Sequence, residues 1–248
     1  MKSIVVANWK MNPQTMREAK RLFEATRKAA ESAKNVSVIV ASPSIFLREL
    51  RTNYKGRRIS LAAQNAHFQK EGAYTGEISM VQVKDSKASA VLIGHAERRA
   101  MGETNEETRA KLNAALTQKL QPIFCVGEHK RSGSGEHFLF VKEQLRTGLA
   151  DVVTGNLGRI IVAYEPVWAI GADKPMSSRQ MHEMAIFIRK TLVGSHGEKG
   201  MKTKILYGGS IDETNAREMI VEGDVQGLLV GRASTEADQF TVLIRSLA

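Results

Sequence analysis

The stretch AYEPVWAIG, residues 163–171, sets the end of an apolar run, a carboxylate and a hinge in close succession. Ile160, Ile161, Val162 and Ala163 form an unbroken apolar run, the pattern of a parallel strand covered on both faces. Glu165 follows, and Pro166 restrains it to extended geometry, so the carboxylate leaves the strand in a defined direction. A carboxyl group aimed this way from a strand end is suited to moving a proton. Val167 to Lys174 then reads as a short loop with one glycine, suited to closing over a ligand. A lone glutamate after a strand is also a common surface ion pair, so the inference depends on what the other strand ends carry.

Apolar runs at Ile4–Ala7, Val36–Val40, Ile59–Ala63, Ala90–Ile93, Ile123–Val126, Ile160–Ala163, Ile205–Tyr207 and Leu228–Val230 predict eight strands. The first ends in Asn8 and Lys10, the fourth in His95 and Glu97, the sixth in Glu165, the seventh in Ser210, and the eighth in Gly231 and Arg232. Most of the intervals carry a helical pattern, the alternation of a parallel sheet with crossover helices. Eight units in 248 residues leave roughly 31 residues each, which favours a closed barrel over an open doubly wound sheet. There is no linker rich in Pro, Gly or Ser and no internal repeat to suggest a second domain. In such a barrel the C-terminal strand ends share one mouth, where these polar residues are expected to converge.

Helix starts support the alternation. A Ser or Thr followed three residues later by Glu or Gln satisfies two orphan amides reciprocally. Thr104 with Glu107, Ser177 with Gln180, and Ser210 with Glu213 all have this spacing. Behind Ser177, Met181, Met184, Ala185, Ile188 and Leu192 make one apolar stripe that predicts packing against the barrel rather than a cofactor box. The segment Gln64–Ile78 is long for a strand-to-helix connection, and such loops tend to carry function or an interface.

Composition narrows the classes. With 42% hydrophobic and 25% charged residues the chain is ordinary for a soluble globular protein. The single Cys125 has no cysteine partner for a disulfide or a zinc site and suits a reducing cytosol, so a cytoplasmic location is expected. No run approaches the roughly 18 apolar residues of a membrane span, and Ile4–Ala7 is too short for a signal-peptide core. The histidines show no HExxH spacing, and Gly133, Ser134 and Gly135 form a polar loop with no preceding strand, not a nucleophile elbow. The net charge of +10 is scattered. Lys28, Lys34, Arg51, Lys55, Arg57 and Arg58 lack interleaved aromatics, the pattern of a solvated surface, and neither a nucleic-acid nor a membrane partner is expected. A basic surface also steers anionic substrates.

Together with Asn8, Trp9 and Lys10 in ANWKMN, Gly94 and His95 in IGHAERR, and Tyr207 to Ser210 in YGGS, the AYEPVWAIG segment resembles the triosephosphate isomerase family. The four segments span nearly the whole chain in the family's order. The resemblance implies a single (β/α)8 TIM barrel with eight parallel strands, one catalytic domain over residues 1–248. It implies the aldose–ketose interconversion of glyceraldehyde 3-phosphate and dihydroxyacetone phosphate, in glycolysis and gluconeogenesis, with no metal and no organic cofactor. That reaction passes through an enediolate and needs a base, an oxyanion partner and exclusion of water. By resemblance Glu165 is the base. His95 polarises the carbonyl oxygen as a neutral imidazole at a helix start, a role taken wholly from the family. Lys10 stabilises the enediolate oxygen and helps hold the phosphate, with Asn8 positioning it and Glu97 as its partner. Backbone amides of Gly171, Ser210, Gly231 and Arg232 grip the phosphate, since turn and helix-start amides suit anions. Thr75, Gly76 and Glu77 match the tip of the family's interdigitating dimer loop, which implies a homodimer.

Four departures carry expectations of their own. Ala96 stands where the family usually has serine, which predicts a changed resting position of Glu165 with catalysis retained. Ala172 and Asp173 replace the usual Thr and Gly, and Pro175 stiffens the second hinge, which predicts a changed lid-closure rate. Arg232 replaces a glycine that approaches the phosphate by its backbone; either the amide still donates with the guanidinium turned to solvent, or the side chain helps hold the phosphate directly. The segment ERRAMGE is one residue shorter than usual, which leaves the placement of the next helix open. Two rival readings are a different phosphate-binding barrel and a binding or scaffold protein with weakened activity. The first must explain Lys10, His95 and Glu165 together, and the second must explain why all three are retained.

Overall fold

The computed structural model describes residues 2–170 and 176–248. In chain order its elements are β1 (Ser3–Asn8), α1 (Met16–Ser32), β2 (Val36–Ser42), α2 (Ser44–Asn53), β3 (Ile59–Ala63), α3 (Met80–Asp85), β4 (Ala90–Ile93), α4 (Ala96–Ala100), α5 (Asn105–Thr117), β5 (Gln121–Val126), α6 (Glu136–Leu149), β6 (Ile161–Tyr164), α7 (Ser178–His196), β7 (Lys204–Tyr207), α8 (Ala216–Val221), β8 (Gly227–Val230) and α9 (Ala237–Ser246). Each strand pairs in parallel with its neighbours in sequence, and β8 closes onto β1 with Ile4 opposite Gly227 and Ala7 opposite Val230. All eight expected runs are strands, displaced at their ends by no more than two residues.

Strand residues alternate between two cores, as the period of two requires. Ile4, Val6, Leu92, Cys125, Ala163, Leu206 and Leu229 belong to the barrel interior. Val5, Ala7, Val91, Val162 and Tyr164 pack into the layer shared with the helices. Counting on by two from the interior set reaches Asn8 after Val6, Gly127 after Cys125, Glu165 after Ala163, Gly208 after Leu206 and Gly231 after Leu229. Inward parity therefore delivers two polar side chains and three glycines to one end of the barrel. On β4 the parity falls on Gly94, whose φ of 74° lets the chain turn so that His95 enters the mouth instead.

The helix layer forms largely as its sequence directs. Met181, Met184, Ala185, Ile188 and Leu192 are all buried on α7, and the Ser177/Gln180 and Thr104/Glu107 capping boxes both close. The Ser210/Glu213 pair does not. The Asp212 carboxylate accepts the amides of Thr214 and Asn215 and the Thr214 hydroxyl, a local turn that outcompetes the serine, and α8 begins only at Ala216. After the shortened segment, Gly102 takes a φ of 102° and Thr104 caps α5 directly. The loop from Gln64 to Ile78 is pinned at its legs. The His67 amide donates to the Ile78 carbonyl at 2.7 Å, and the His67 ring lies 4.4 Å, centroid to centroid, from both Phe68 and Tyr74. Among the described residues no helix is long and apolar enough to cross a membrane.

Candidate active site

Glu165 stands one residue beyond β6, with its own amide donating to the Val126 carbonyl at 2.8 Å. It is 3% exposed, and a carboxylate so buried needs partners. Oε1 lies 3.1 Å from His95 Nε2, and Oε2 accepts the backbone amide of Ala96 at 3.1 Å. Burial works to raise the carboxyl's pKa, but His95, the Ala96 amide and the Cys125 thiol outweigh it and hold Glu165 below the ordinary carboxylate range. The group is thus ionised at neutral pH. With no hydroxyl at position 96, the peptide itself supplies the hydrogen bond to Oε2. Two inward glycines make room: a Cβ on Gly127 would sit 1.7 Å from the Glu165 carbonyl oxygen, and one on Gly208 would sit 2.9 Å from Glu165 Cγ.

His95 is the N-cap of α4, and its Nδ1 accepts the Glu97 amide at 3.3 Å. A ring nitrogen that accepts carries no proton, so in this arrangement Nε2 bears the hydrogen and donates to Glu165. Burial pulls the imidazole's pKa down, while the carboxylates of Glu165 and then Glu97 push it up; the net displacement is upward from the ordinary value. His95 is therefore held between two influences, burial favouring the neutral form and the carboxylates of Glu165 and Glu97 favouring the charged one. Asn8 Nδ2 lies 3.1 Å from the same Nε2.

Lys10 has a φ of 52°, a left-handed conformation that costs a non-glycine residue about 1 kcal/mol or more. Its neighbours hold the bend. Asn8 Oδ1 accepts the Lys10 amide at 3.1 Å, and Gln64 Nε2 donates to the Lys10 carbonyl at 2.8 Å and to the Ala41 carbonyl at 2.9 Å. The ammonium donates to Glu97 Oε1. With the two side chains 33% and 52% exposed, this pair aims the lysine more than it stabilises the fold. The stem passes Gly231 so closely that a Cβ there would meet Lys10 Cε at 3.3 Å.

Ser210, Gly231 and Arg232 line one cavity of about 440 Å³ with Asn8, Lys10, His95 and Glu165. The amides of Ser210 and Gly231 have no backbone acceptor among the described residues. Arg232 opens a 3-10 turn to Thr235, and the first amides of such a turn have no partner within it. Unengaged amides gathered beside a lysine suit an anion. Ser234 Oγ, 2.7 Å from the Gly231 carbonyl and 3.2 Å from that of Asn8, stitches the end of β8 to the end of β1. Gly171 lies outside the described residues, as do Ala172, Asp173 and Pro175.

Three supporting residues were not singled out from the sequence. Gln64 directly follows β3 and Glu128 stands two residues beyond β5, so the strand-end criterion applied to those strands finds both. Buried Glu128 accepts the Tyr164 hydroxyl at 2.9 Å and Trp168 Nε1 at 2.8 Å, anchoring the start of the segment after Glu165. Arg99 folds back to the Gly94 carbonyl at 2.8 Å and the Cys125 carbonyl at 3.3 Å, bracing the turn that presents His95.

A family model described as triosephosphate isomerase matches residues 3–247. A triosephosphate isomerase from Endomicrobium trichonymphae is 39% identical over 246 residues, covering 98% of this chain and 98% of that protein. The chain belongs to the triosephosphate isomerase family, and the activity this supports is that of an intramolecular oxidoreductase, triosephosphate isomerisation in glycolysis.

Proposed function

We propose that this member of the triosephosphate isomerase family interconverts glyceraldehyde 3-phosphate and dihydroxyacetone phosphate with Glu165 as the base, His95 as the hydrogen-bond donor to the reacting oxygen, and Lys10 as the balancing cation. The observation that carries this reading is the buried Glu165–His95 contact in the same cavity as the amides of Ser210 and Gly231. The phosphate is held by those amides, by that of Arg232 and by the lid residue Gly171, with Lys10 nearby. Glu165 leaves the Ala96 amide and takes a proton from the carbon beside the carbonyl. The electron pair left behind forms the enediolate, whose oxygen is met by His95 Nε2–H and the Lys10 ammonium. The enediolate's remaining hydroxyl proton passes to the former carbonyl oxygen by way of His95 Nε2, the same carboxyl group returns its proton to the neighbouring carbon, and the newly bared oxygen forms the carbonyl of the product. Asn8 positions Lys10 and His95, and Glu97 holds the lysine. No metal or organic cofactor is needed.

The same reading makes the single catalytic domain a homodimer in the cytoplasm, joined through the loop around Thr75. What supports this is a set of exposed apolar side chains, Met11 at 84%, Ile45 at 79%, Met101 at 76% and Tyr74 at 44%. Met11 and Met101 border a second cavity of about 410 Å³, lined also by Lys10, His95 and Glu97, into which a partner's loop tip would fit. A partner seated there covers the approach to Lys10 and limits water.

Turnover in deuterium oxide tests the reaction. Conversion of glyceraldehyde 3-phosphate is expected to place solvent deuterium on the carbon-bound position that received the proton. Turnover with no solvent hydrogen in product at any conversion would favour direct hydride transfer and remove Glu165 as the base.

A further inference from the structure

The outer surface between α6 and α7 holds a cleft of about 530 Å³. Lys142 and Arg146, four residues apart, form its α6 wall, and Lys190 and Gly194, again four apart, form its α7 wall; residues at this spacing share one helix face. Phe187 lies with them. No carboxylate lines the cleft, and Lys142 and Lys190 enter no ion pair among the described residues. The carboxylate nearest Arg146, that of Glu143 at 3.6 Å, also accepts the Thr147 hydroxyl at 2.8 Å.

The cleft differs from the chain's other basic cleft in having no carboxylate in its lining. A comparable basic cleft lined by Arg51, Lys84 and Lys87 includes Asp85, which is itself engaged by Arg48 at 2.9 Å. Cations in the last turn of a helix are favoured by the helix dipole, which accounts for Arg146. Lys142 and Lys190 stand more than a turn from the ends of their helices, so that explanation does not reach them. Hydrogen-bonding capacity completes the picture. The Thr191 hydroxyl is spent on the Phe187 carbonyl at 2.9 Å, while the Ser195 hydroxyl has no partner among the described residues. A Cβ on Gly194 would meet nothing within 4 Å, so the approach over that backbone is open.

We propose that this cleft binds a small anion carrying two linked phosphate groups, with its oxygens on Lys142, Arg146, Lys190 and the Ser195 hydroxyl, and any carbon portion against Phe187. Helices of this barrel run antiparallel to its strands, so the C-terminal halves of α6 and α7 lie toward the end opposite the mouth. The ligand therefore does not displace substrate. The proposal rests on the cleft alone and stands or falls independently of the isomerase reading.

Calorimetric titration of the full chain with inorganic pyrophosphate at low ionic strength, with and without excess triose phosphate to occupy the mouth of the barrel, tests it. One saturable site per chain is expected, weakening as salt is raised. Lys142→Ala/Lys190→Ala is expected to weaken binding about a hundredfold, roughly tenfold for each charge-assisted hydrogen bond removed, with isomerisation kinetics unchanged. Lys84→Ala/Lys87→Ala, which changes net charge equally, is expected to leave pyrophosphate affinity as it was. Absence of a saturable site with the substrate cavity occupied, or equal weakening in the two double variants, would overturn the proposal.

Discussion

The two sides of the cavity that holds Glu165 and Ser210 are built on opposite plans. Around Glu165 the groups are ionisable side chains tied to one another before any ligand arrives: Glu165 to His95, and Lys10 to Glu97. Around Ser210 and Gly231 the groups are main-chain amides left without a backbone partner among the described residues. The first plan stores a protonation pattern and is sensitive to side-chain identity. The second stores a backbone shape, which tolerates a change of side chain wherever the chain path survives. That is why a glutamate is fixed at position 165 by parity and glycines, while position 232 can carry an arginine where the family usually has glycine.

The comparison breaks first on the side-chain plan. His95→Gln removes the imidazole that faces Glu165 and, in the proposed reaction, the reacting oxygen, and kcat is expected to fall on the order of 10²–10³-fold with KM little changed. Steady-state kinetics on folded protein check this, and a loss confined to KM would move His95 from the chemistry to substrate binding. A smaller effect is expected where the two plans touch. Gly231→Ala places a methyl 3.3 Å from Lys10 Cε, and kcat/KM should drop about tenfold through a displaced ammonium and phosphate grip. An unchanged value would mean that the lysine stem yields without consequence.

The stored protonation pattern is readable directly by titrating His95 with nuclear magnetic resonance. Glu165 is the main upward influence on that imidazole, and burial is the main downward one. Replacing Glu165 by Gln therefore lowers the His95 pKa relative to the native chain. In the native chain the free enzyme's kcat/KM is expected to decline as pH falls through the raised His95 pKa, because protonation fixes the imidazolium against Glu165. The depressed pKa of Glu165 keeps the base ionised over that interval. A His95 titration that does not move in the variant would dissolve the pairing. The smallest effect belongs to the backbone plan: Arg232→Gly should leave kcat unchanged and lower kcat/KM by about twofold at low salt, a difference that vanishes as salt screens the charge. A tenfold loss persisting at high salt would make the guanidinium a direct ligand of the phosphate.

Much of this was legible in the chain because a strand repeats every two residues and a barrel puts one end of every strand at one mouth. The apolar runs set the eight strands, and their parity sets Asn8 and Glu165 inward. Glu128 and Gln64 lay within reach of the same reasoning. Other features have no such signal. Nothing in the spacing of ERRA says that Arg99 folds back onto two carbonyls, and nothing in ANWKMN shows that Lys10 is left-handed, since each also needs a partner distant in sequence, Cys125 for Arg99 and Gln64 for Lys10. The expected helix cap at Ser210 failed for a local reason, because Asp212 offers a closer acceptor to the same stretch of amides.

The most direct test of the account is the isomerisation rate of glyceraldehyde 3-phosphate by the native chain and by Glu165→Gln, prepared identically and shown to be folded. The amide can still accept the Ala96 hydrogen bond but cannot take a proton, so kcat is expected to fall on the order of 10³–10⁴-fold. A variant that turns over at the native rate would contradict the assignment of Glu165 as the base and the reading of this cavity built upon it.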